Sequence, residues 1–212
     1  TYGGFNGGNL VILAARPSVG KTTIAMQIAQ AASGDRNKTL VFSLEMTKKE
    51  LVQRLIQSTG LISQYDLVTH NIDWDNYERA LDMVVNNDLL INDESYNIHE
   101  IRHKIVSSVQ IQGVRMVVID YLQLMRGANV RLSKNDQVGE FTSILKQTAK
   151  QCNIPIVVLS QLSRDSVREN RSPQLFDLRD SGAIEQDADI VIMLERAKDS
   201  MGGIIDNRID MW

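Results

Sequence analysis

A glycine–lysine–threonine triplet and three polar residues that each close an apolar run are the parts of this chain best suited to chemistry. The stretch A-R-P-S-V-G-K-T-T, Ala15 to Thr23, follows one apolar run and opens a helical pattern. A loop that wraps phosphates must turn several backbone N–H groups inward, and Gly20 permits that conformation. The helix start adds more N–H donors and the positive end of its dipole. Ser18, Val19, Gly20, Lys21, Thr22 and Thr23 are therefore the candidate phosphate-binding residues. Lys21 has the reach for the β- and γ-phosphates of a nucleoside triphosphate such as ATP, and Thr22 has a hydroxyl to ligate Mg²⁺. The strict phosphate-loop pattern starts on glycine, where this chain has Ala15; one added methyl need not block the loop.

The other three residues are Glu45, Asp120 and Gln161. M-V-V-I-D, Met116 to Asp120, is an apolar run ending in an acid. Downstream of a phosphate loop that is the position of the carboxylate that holds Mg²⁺. V-F-S-L-E-M, Val41 to Met46, repeats the pattern with Glu45. A carboxylate on the same sheet edge can orient, or take a proton from, the water that attacks a γ-phosphate. The alternative for Glu45 is service at the start of the next helix, beside Thr47. I-V-V-L-S-Q, Ile156 to Gln161, ends in an amide that can donate to a γ-phosphate and accept from a loop beyond. It can equally be a plain polar strand end.

These residues need a frame that brings strand ends together. The apolar runs are Leu10–Ala14, Leu40–Leu44, Leu89–Ile91, Met116–Ile119, Ile156–Leu159 and Ile190–Leu194. Each is continuous rather than alternating, as for strands covered on both faces. Helical faces lie between them: Ile24, Ile28 and Ala32; Val52, Leu55, Ile56 and Thr59; Ile98, Ile101, Ile105 and Val109; Val138, Phe141, Leu145, Thr148 and Cys152. This alternation predicts an α/β fold, a mostly parallel central sheet flanked by helices. Ligands in such folds sit at the carboxyl ends of strands. The least regular stretches, Arg126 to Gln137 and Ser163 to Leu178, both follow strands on that edge.

Bulk properties bound the function. The 212 residues suffice for one sizeable domain. With 43% hydrophobic and 23% charged residues the balance is that of a globular protein, and the net charge of −3 neither demands nor forbids nucleic acid. One cysteine, Cys152, permits no internal disulfide and suits the cytoplasm. No apolar run approaches the roughly 20 residues of a membrane span. Both ends read as cut, so a fragment of a longer chain is expected. His99 and His103 have zinc-ligand spacing but no third ligand is evident. Met116, Met125 and Met193 read as packing, and Trp74 as a helix start.

Taken together, five runs resemble the DnaB family of replicative DNA helicases. They are A-A-R-P-S-V-G-K-T-T, F-S-L-E-M, V-V-I-D-Y-L-Q-L-M, V-V-L-S-Q-L-S-R and D-L-R-D-S-G-A-I-E-Q-D-A-D, in family order from Ala14 to Asp189. The last is the most specific. The resemblance implies a RecA-like P-loop NTPase fold, a homo-hexamer ring with ATP and Mg²⁺ between subunits, and 5′-to-3′ translocation on single-stranded DNA. It implies Lys21 and Thr22 on phosphate and metal, Asp120 on the metal, Glu45 as catalytic base and Gln161 as γ-phosphate sensor. Loader and primase contacts are implied for the full-length protein, which in the family carries an N-terminal domain and a linker helix.

The family's DNA-contacting loop matches Leu178 to Gly182, so Arg179, Asp180 and Gly182 are candidates for backbone contact. Arg179 can pair with a phosphate, or with Asp177 or Asp180 instead. Arg126, Arg131 and Lys134 form a second basic stretch with no acid before Asp136, a footprint for phosphate tracking or simply a solvated loop. The family's arginine finger has no match here: Arg208, in D-N-R-I-D, lies in the right region in the wrong setting. Two other readings stay open at this point. One is another RecA-like ATPase, a recombinase or a KaiC-like regulator; the other is a nucleotide-gated interaction module.

Overall fold

Leu10–Ala15 is apolar at every position because both faces of its sheet are covered. Leu10, Ile12 and Ala14 enter one core and Val11, Leu13 and Ala15 the other, all at most 1% exposed. The computed structural model describes residues 4–34, 37–127, 132–162, 171–178, 181–198 and 204–211. Its strands are β1 Leu10–Ala15, β2 Lys38–Ser43, β3 Leu89–Asn92, β4 Val114–Asp120, β5 Ile156–Gln161, β6 Ile190–Lys198 and β7 Ile204–Met211. They form one sheet in the order β3-β2-β4-β5-β1-β6-β7. The first six are parallel, and β7 runs antiparallel on β6.

The helices are α1 Lys21–Ala32, α2 Lys48–Ser58, α3 Gln64–Thr69, α4 Trp74–Val85, α5 Ile98–Gln112, α6 Lys134–Cys152 and α7 Ser181–Asp187. One face of the sheet is covered by Ile98, Ile101 and Ile105 of α5, Val138, Phe141 and Leu145 of α6, and Ile184 of α7. The other is covered by Ala25, Met26 and Ala29 of α1, Leu51, Leu55 and Ile56 of α2, and Ala80 and Val84 of α4. None of the described helices is long and apolar enough to cross a membrane.

The expected faces hold for α5 and α6, while in α1 the buried line is Ala25, Met26 and Ala29, with Ile24, Ile28 and Ala32 only half-buried beside it. Small residues let α1 lie close to the strands. In α2, Leu51 takes the buried place expected of Val52. Leu44 lies just beyond β2, buried in the turn. Lys134 to Gln137 is helical rather than irregular, because Ser133 caps α6 by accepting from the Asp136 N–H. β7 is not among the strands that the apolar runs predict; its I-I-D-N-R-I-D-M pattern is half polar, as suits a strand at the sheet's edge.

The rim opposite the candidate site is locked by polar contacts. Asp189 accepts the Leu10 N–H at 2.6 Å and returns its own N–H to the Leu10 carbonyl at 2.9 Å. Lys146 Nζ donates to both Asp189 carboxylate oxygens (2.7 and 2.5 Å) and to the Gly8 carbonyl (2.9 Å). One turn earlier on α6, Thr142 Oγ1 donates to Asp187 of α7 at 2.6 Å. Close packing of α6 on α7 needs Gly139, where a Cβ would stand 3.0 Å from that of Ala183.

Burial opposes ionisation of Asp189, but the Lys146 and Leu10 hydrogen bonds and the charges of Lys146 and Lys150 outweigh it and hold its carboxyl below the usual range. The stabilisation is therefore present above the unfolded-state pKa and lost as pH falls through the folded one. Asp189→Asn is expected to cost about 1–2 kcal/mol at neutral pH, the scale of a partly exposed charged hydrogen bond. Denaturant melts at pH 7 and in acid check this: the gap from the parent should close as the pH drops.

Candidate nucleotide-binding site

Four neighbouring strands, β2, β4, β5 and β1, deliver the candidate residues to one edge of the sheet. At the end of β1, Ala15 is still a strand residue, paired with Gln161 and Leu194, and its methyl is buried in the core. That is why alanine serves at the first loop position. The chain then turns through Ser18 at φ 63° and Gly20 at φ 107°. That φ calls for glycine at position 20, and a Cβ there would also press on the end of the Ile209 side chain of β7, 3.3 Å away. α1 begins at the next residue with no side-chain cap and no acid in its first turn. Its leading N–H groups and dipole are thus left for an anion.

Thr22 Oγ1 donates to Asp120 Oδ2 at 2.7 Å, tying the loop to the tip of β4. The Lys21 ammonium sits 4.4 Å from the centroid of the Tyr121 ring. Ser43 is level with Asp120 across the β2–β4 pair, and the Leu44 N–H donates to the Asp120 carbonyl at 2.7 Å, so Glu45 emerges beside them. The α2 cap is supplied by Thr47 and Glu50 bonding each other reciprocally, which leaves Glu45 at the cleft. A cleft of about 420 Å³ is lined by Ser18, Gly20, Lys21, Thr22, Thr23, Glu45 and Gln161. Val19 does not line it and packs partly against the core instead. A second cavity of about 550 Å³ adjoins it through Thr22, Thr23, Met46 and Arg54 and is walled by glutamines, among them Gln27, Gln30 and Gln53.

Electrostatics bind the site's charges together. Burial lowers the Lys21 pKa, against the raising pull of Asp120 and then Glu45. Burial raises that of Asp120; the Thr22 hydrogen bond and the Lys21 charge oppose the rise, and Glu45 adds to it. Asp120 is 4% exposed, and its Oδ1 is buried with no hydrogen-bond partner. A hydroxyl and a carboxylate are hard oxygen donors, the type Mg²⁺ prefers. No group of three or more His, Cys, Asp or Glu among the described residues could hold a metal ion. A cation at Thr22 and Asp120 would therefore fill its shell with phosphate and water oxygens, the usual habit of Mg²⁺.

Several site residues escape sequence reasoning. Arg54 of α2 lines both cavities, and its charge reaches Asp120. Arg196 of β6 donates to the Ser18 carbonyl at 3.0 Å, bracing the loop from the far side. Nothing local marks either one, since each arrives from an element remote in sequence. Gln123 and Tyr121 stand in one of the five matching runs, V-V-I-D-Y-L-Q-L-M, yet their types and spacing assign them no role.

Of the expected DNA contacts, Arg131, Arg179 and Asp180 lie outside the described residues. Arg126 is exposed, stacks over Tyr96 at 5.7 Å, and is fixed by backbone bonds to Tyr96 and Ile98. Lys134 is exposed in the first turn of α6. Gly182 is exposed too, with open space where a Cβ would stand, but it lies in α7 rather than in a loop. Asp177 is taken up by Arg171, whose guanidinium meets its two oxygens at 2.5 and 2.8 Å.

A phosphate-ready loop at the carboxyl edge of a parallel sheet, with an acid at the tip of a nearby strand, defines a P-loop nucleotide-binding domain. A family model for the DnaB-like helicase C terminal domain matches residues 1–205, and the chain belongs to that family. It is 39% identical over 215 residues to the replicative DNA helicase DnaB of Helicobacter pylori, covering 98% of this chain and 44% of the relative. It is 40% identical over 200 residues to that of Geobacillus stearothermophilus, covering 91% of this chain and 44% of the relative. The chain thus spans less than half the length of these relatives. Among solved structures it is similar to one described as an ATPase domain, with TM-score 0.86, 31% identity, and coverage of 98% of this chain and 81% of that one. A DnaB-like replicative helicase described with its interactions with primase has TM-score 0.85 and 31% identity, over 98% of this chain and 56% of that one. The family match parts this domain from recombinases and KaiC-like regulators.

Because its pKa is raised, Asp120 favours the folded state below the ordinary carboxylate range, and that advantage is lost as pH rises through the folded value. Asp120→Asn, without nucleotide, is expected to gain about 1 kcal/mol at neutral pH, a few degrees in melting temperature. The gain should vanish in acid. A lower melting point for the variant at pH 7 would contradict the burial argument.

Proposed function

We propose that this domain is the ATP-driven motor of a replicative DNA helicase, working in a homo-hexamer ring that moves 5′-to-3′ on single-stranded DNA. The observation that carries the reading is the Thr22–Asp120 hydrogen bond beneath an open helix start, with Asp120 Oδ1 unpartnered. In this reading the 18–23 backbone and Lys21 grip the triphosphate, and Thr22 and Asp120 hold Mg²⁺. Bound there, the cation would supply charge stabilisation to the phosphate oxygens. Glu45 orients the attacking water and takes its proton. Gln161 meets the γ-phosphate and reports its loss. Arg126, Arg131 and Lys134 contact the DNA by tracking phosphates rather than bases, since aromatic residues are scarce in that stretch, and Arg179, Asp180 and Gly182 contact its backbone. The name of one similar structure supports a primase contact for the full-length protein. A loader contact and a cytoplasmic setting belong to the same reading.

Forked-duplex unwinding and ATP turnover by the full-length protein test it. Glu45→Gln should lose about 10²- to 10⁴-fold in kcat with ATP affinity kept, as for removal of a general base. Lys21→Ala should lose binding as well. Wild-type turnover in Glu45→Gln would remove that residue from the chemistry. Lys134→Ala should weaken single-stranded DNA binding and lower the salt slope, with the loss of one phosphate contact, by about 0.7. An unchanged slope would take Lys134 off the DNA path.

A further inference from the structure

β5 has different neighbours along its two sides. Against β1 it pairs along its whole length, from Leu10↔Ile156 to Ala15↔Gln161. Against β4 the pairing stops at Ile119↔Val158. After Asp120 the chain leaves the sheet at Tyr121 and coils into the 3₁₀ turn Leu122–Leu124, pinned by the fully buried Leu122. The last residues of β5, which carry Gln161 into the cleft, therefore lack a strand on that side.

Gln123 fills the gap. Its Nε2 donates to Ser160 Oγ at 3.1 Å, and its Oε1 accepts the Gln161 N–H at 3.4 Å. The second contact is long, but it fixes the amide's orientation, because an N–H needs an acceptor facing it. Ser160 is fully buried, so its hydroxyl needs a partner inside the protein. Gln123 is not among the residues lining the cleft, and the hydrogen bonds of its side chain go to Ser160 and Gln161 of β5. Three residues on, Arg126 is locked to the start of α5: its N–H donates to the Tyr96 carbonyl at 2.8 Å, and its carbonyl accepts the Ile98 N–H at 3.0 Å. One short, pinned segment thus touches the tip of β5 at one end and the root of a candidate DNA-binding stretch at the other.

We propose that Gln123 is a positioning residue: its amide stands in for the missing strand, sets Gln161 in the cleft, and links it to the segment bearing Arg126. This rests on the sensor reading of Gln161. Its consequence is that stimulation of ATP turnover by single-stranded DNA runs through Gln123, while basal turnover does not.

The test measures ATPase of the full-length protein with and without oligo-dT. Gln123→Met keeps length and volume but loses both hydrogen bonds. It should keep basal kcat and the KM for ATP within about threefold, yet lose stimulation about tenfold, a coupling change near the scale at which tenfold equals 1.4 kcal/mol. Gln123→Glu keeps an acceptor for the Gln161 N–H and lets the Ser160 hydroxyl donate, so most stimulation should survive. If Gln123→Met melts early, Gln123→Asn, with the same amide one methylene short, takes its place and should also lose stimulation. The double variant with Gln161→Ala should be no worse than Gln161→Ala alone, because residues acting as one unit are not additive. Full stimulation in Gln123→Met, or multiplying losses in the double variant, overturns the proposal. Full stimulation in Gln161→Ala instead overturns the sensor reading beneath it.

Discussion

A carboxylate kept inside the protein at the end of β4 is the constraint around which the site is organised. Asp120 is nearly sealed from water, and burial works against its charge. Two neighbours offset that cost: the Thr22 hydroxyl at 2.7 Å and the Lys21 ammonium, itself desolvated and held over Tyr121. Lys21 is itself poorly solvated, so the offset is only partial and burial still raises the Asp120 pKa. The first residues of α1 and the tip of β4 are thereby one electrostatic unit. The unit is incomplete by itself, with one buried carboxylate oxygen unpartnered.

The sheet order makes this unit a centre. β2, β4, β5 and β1 lie side by side, so Glu45, Asp120, Gln161 and the phosphate loop leave the same edge from adjoining strands. The opposite rim has its own lock, in which Asp189, Lys146 and the Leu10 N–H bind the start of β1 to β6 and α6. Function and anchoring thus occupy opposite ends of the same strands. The acidic tail of the family's most specific run, D-L-R-D-S-G-A-I-E-Q-D-A-D, belongs to the anchoring end: Asp187 serves Thr142, and Asp189 serves Lys146 and Leu10.

The polar bracing beyond the strands is the work of single side chains. Arg196 fixes the Ser18 carbonyl, Arg171 closes on Asp177, and Gln123 spans the place where β4 has turned away from β5. Each satisfies backbone or buried polar atoms that the ladders leave over. Each comes from a distant segment or from a turn of no regular period, which is why no pattern in the chain announces it.

Much of the frame was legible as pattern. A strand buried on both faces must be apolar nearly throughout, so β1 and β5 stand out as runs to within two residues at either end. A helix lying on a sheet must show a stripe, so the faces of α5 and α6 are readable from their spacing. The turn at Gly20 into a helix starting at Lys21 is readable because few residues besides glycine take its φ of 107°. The edge strand β7 was not legible, since its residues are half polar, and the buried line of α1 was displaced because its alanines pack more closely than its isoleucines. Local chemistry wrote the strands, the stripes and the loop into the sequence. Which strand tips stand side by side, which arginines reach the cleft, and which acids anchor rather than act were decided by tertiary contact, because those relations join residues that share no local period.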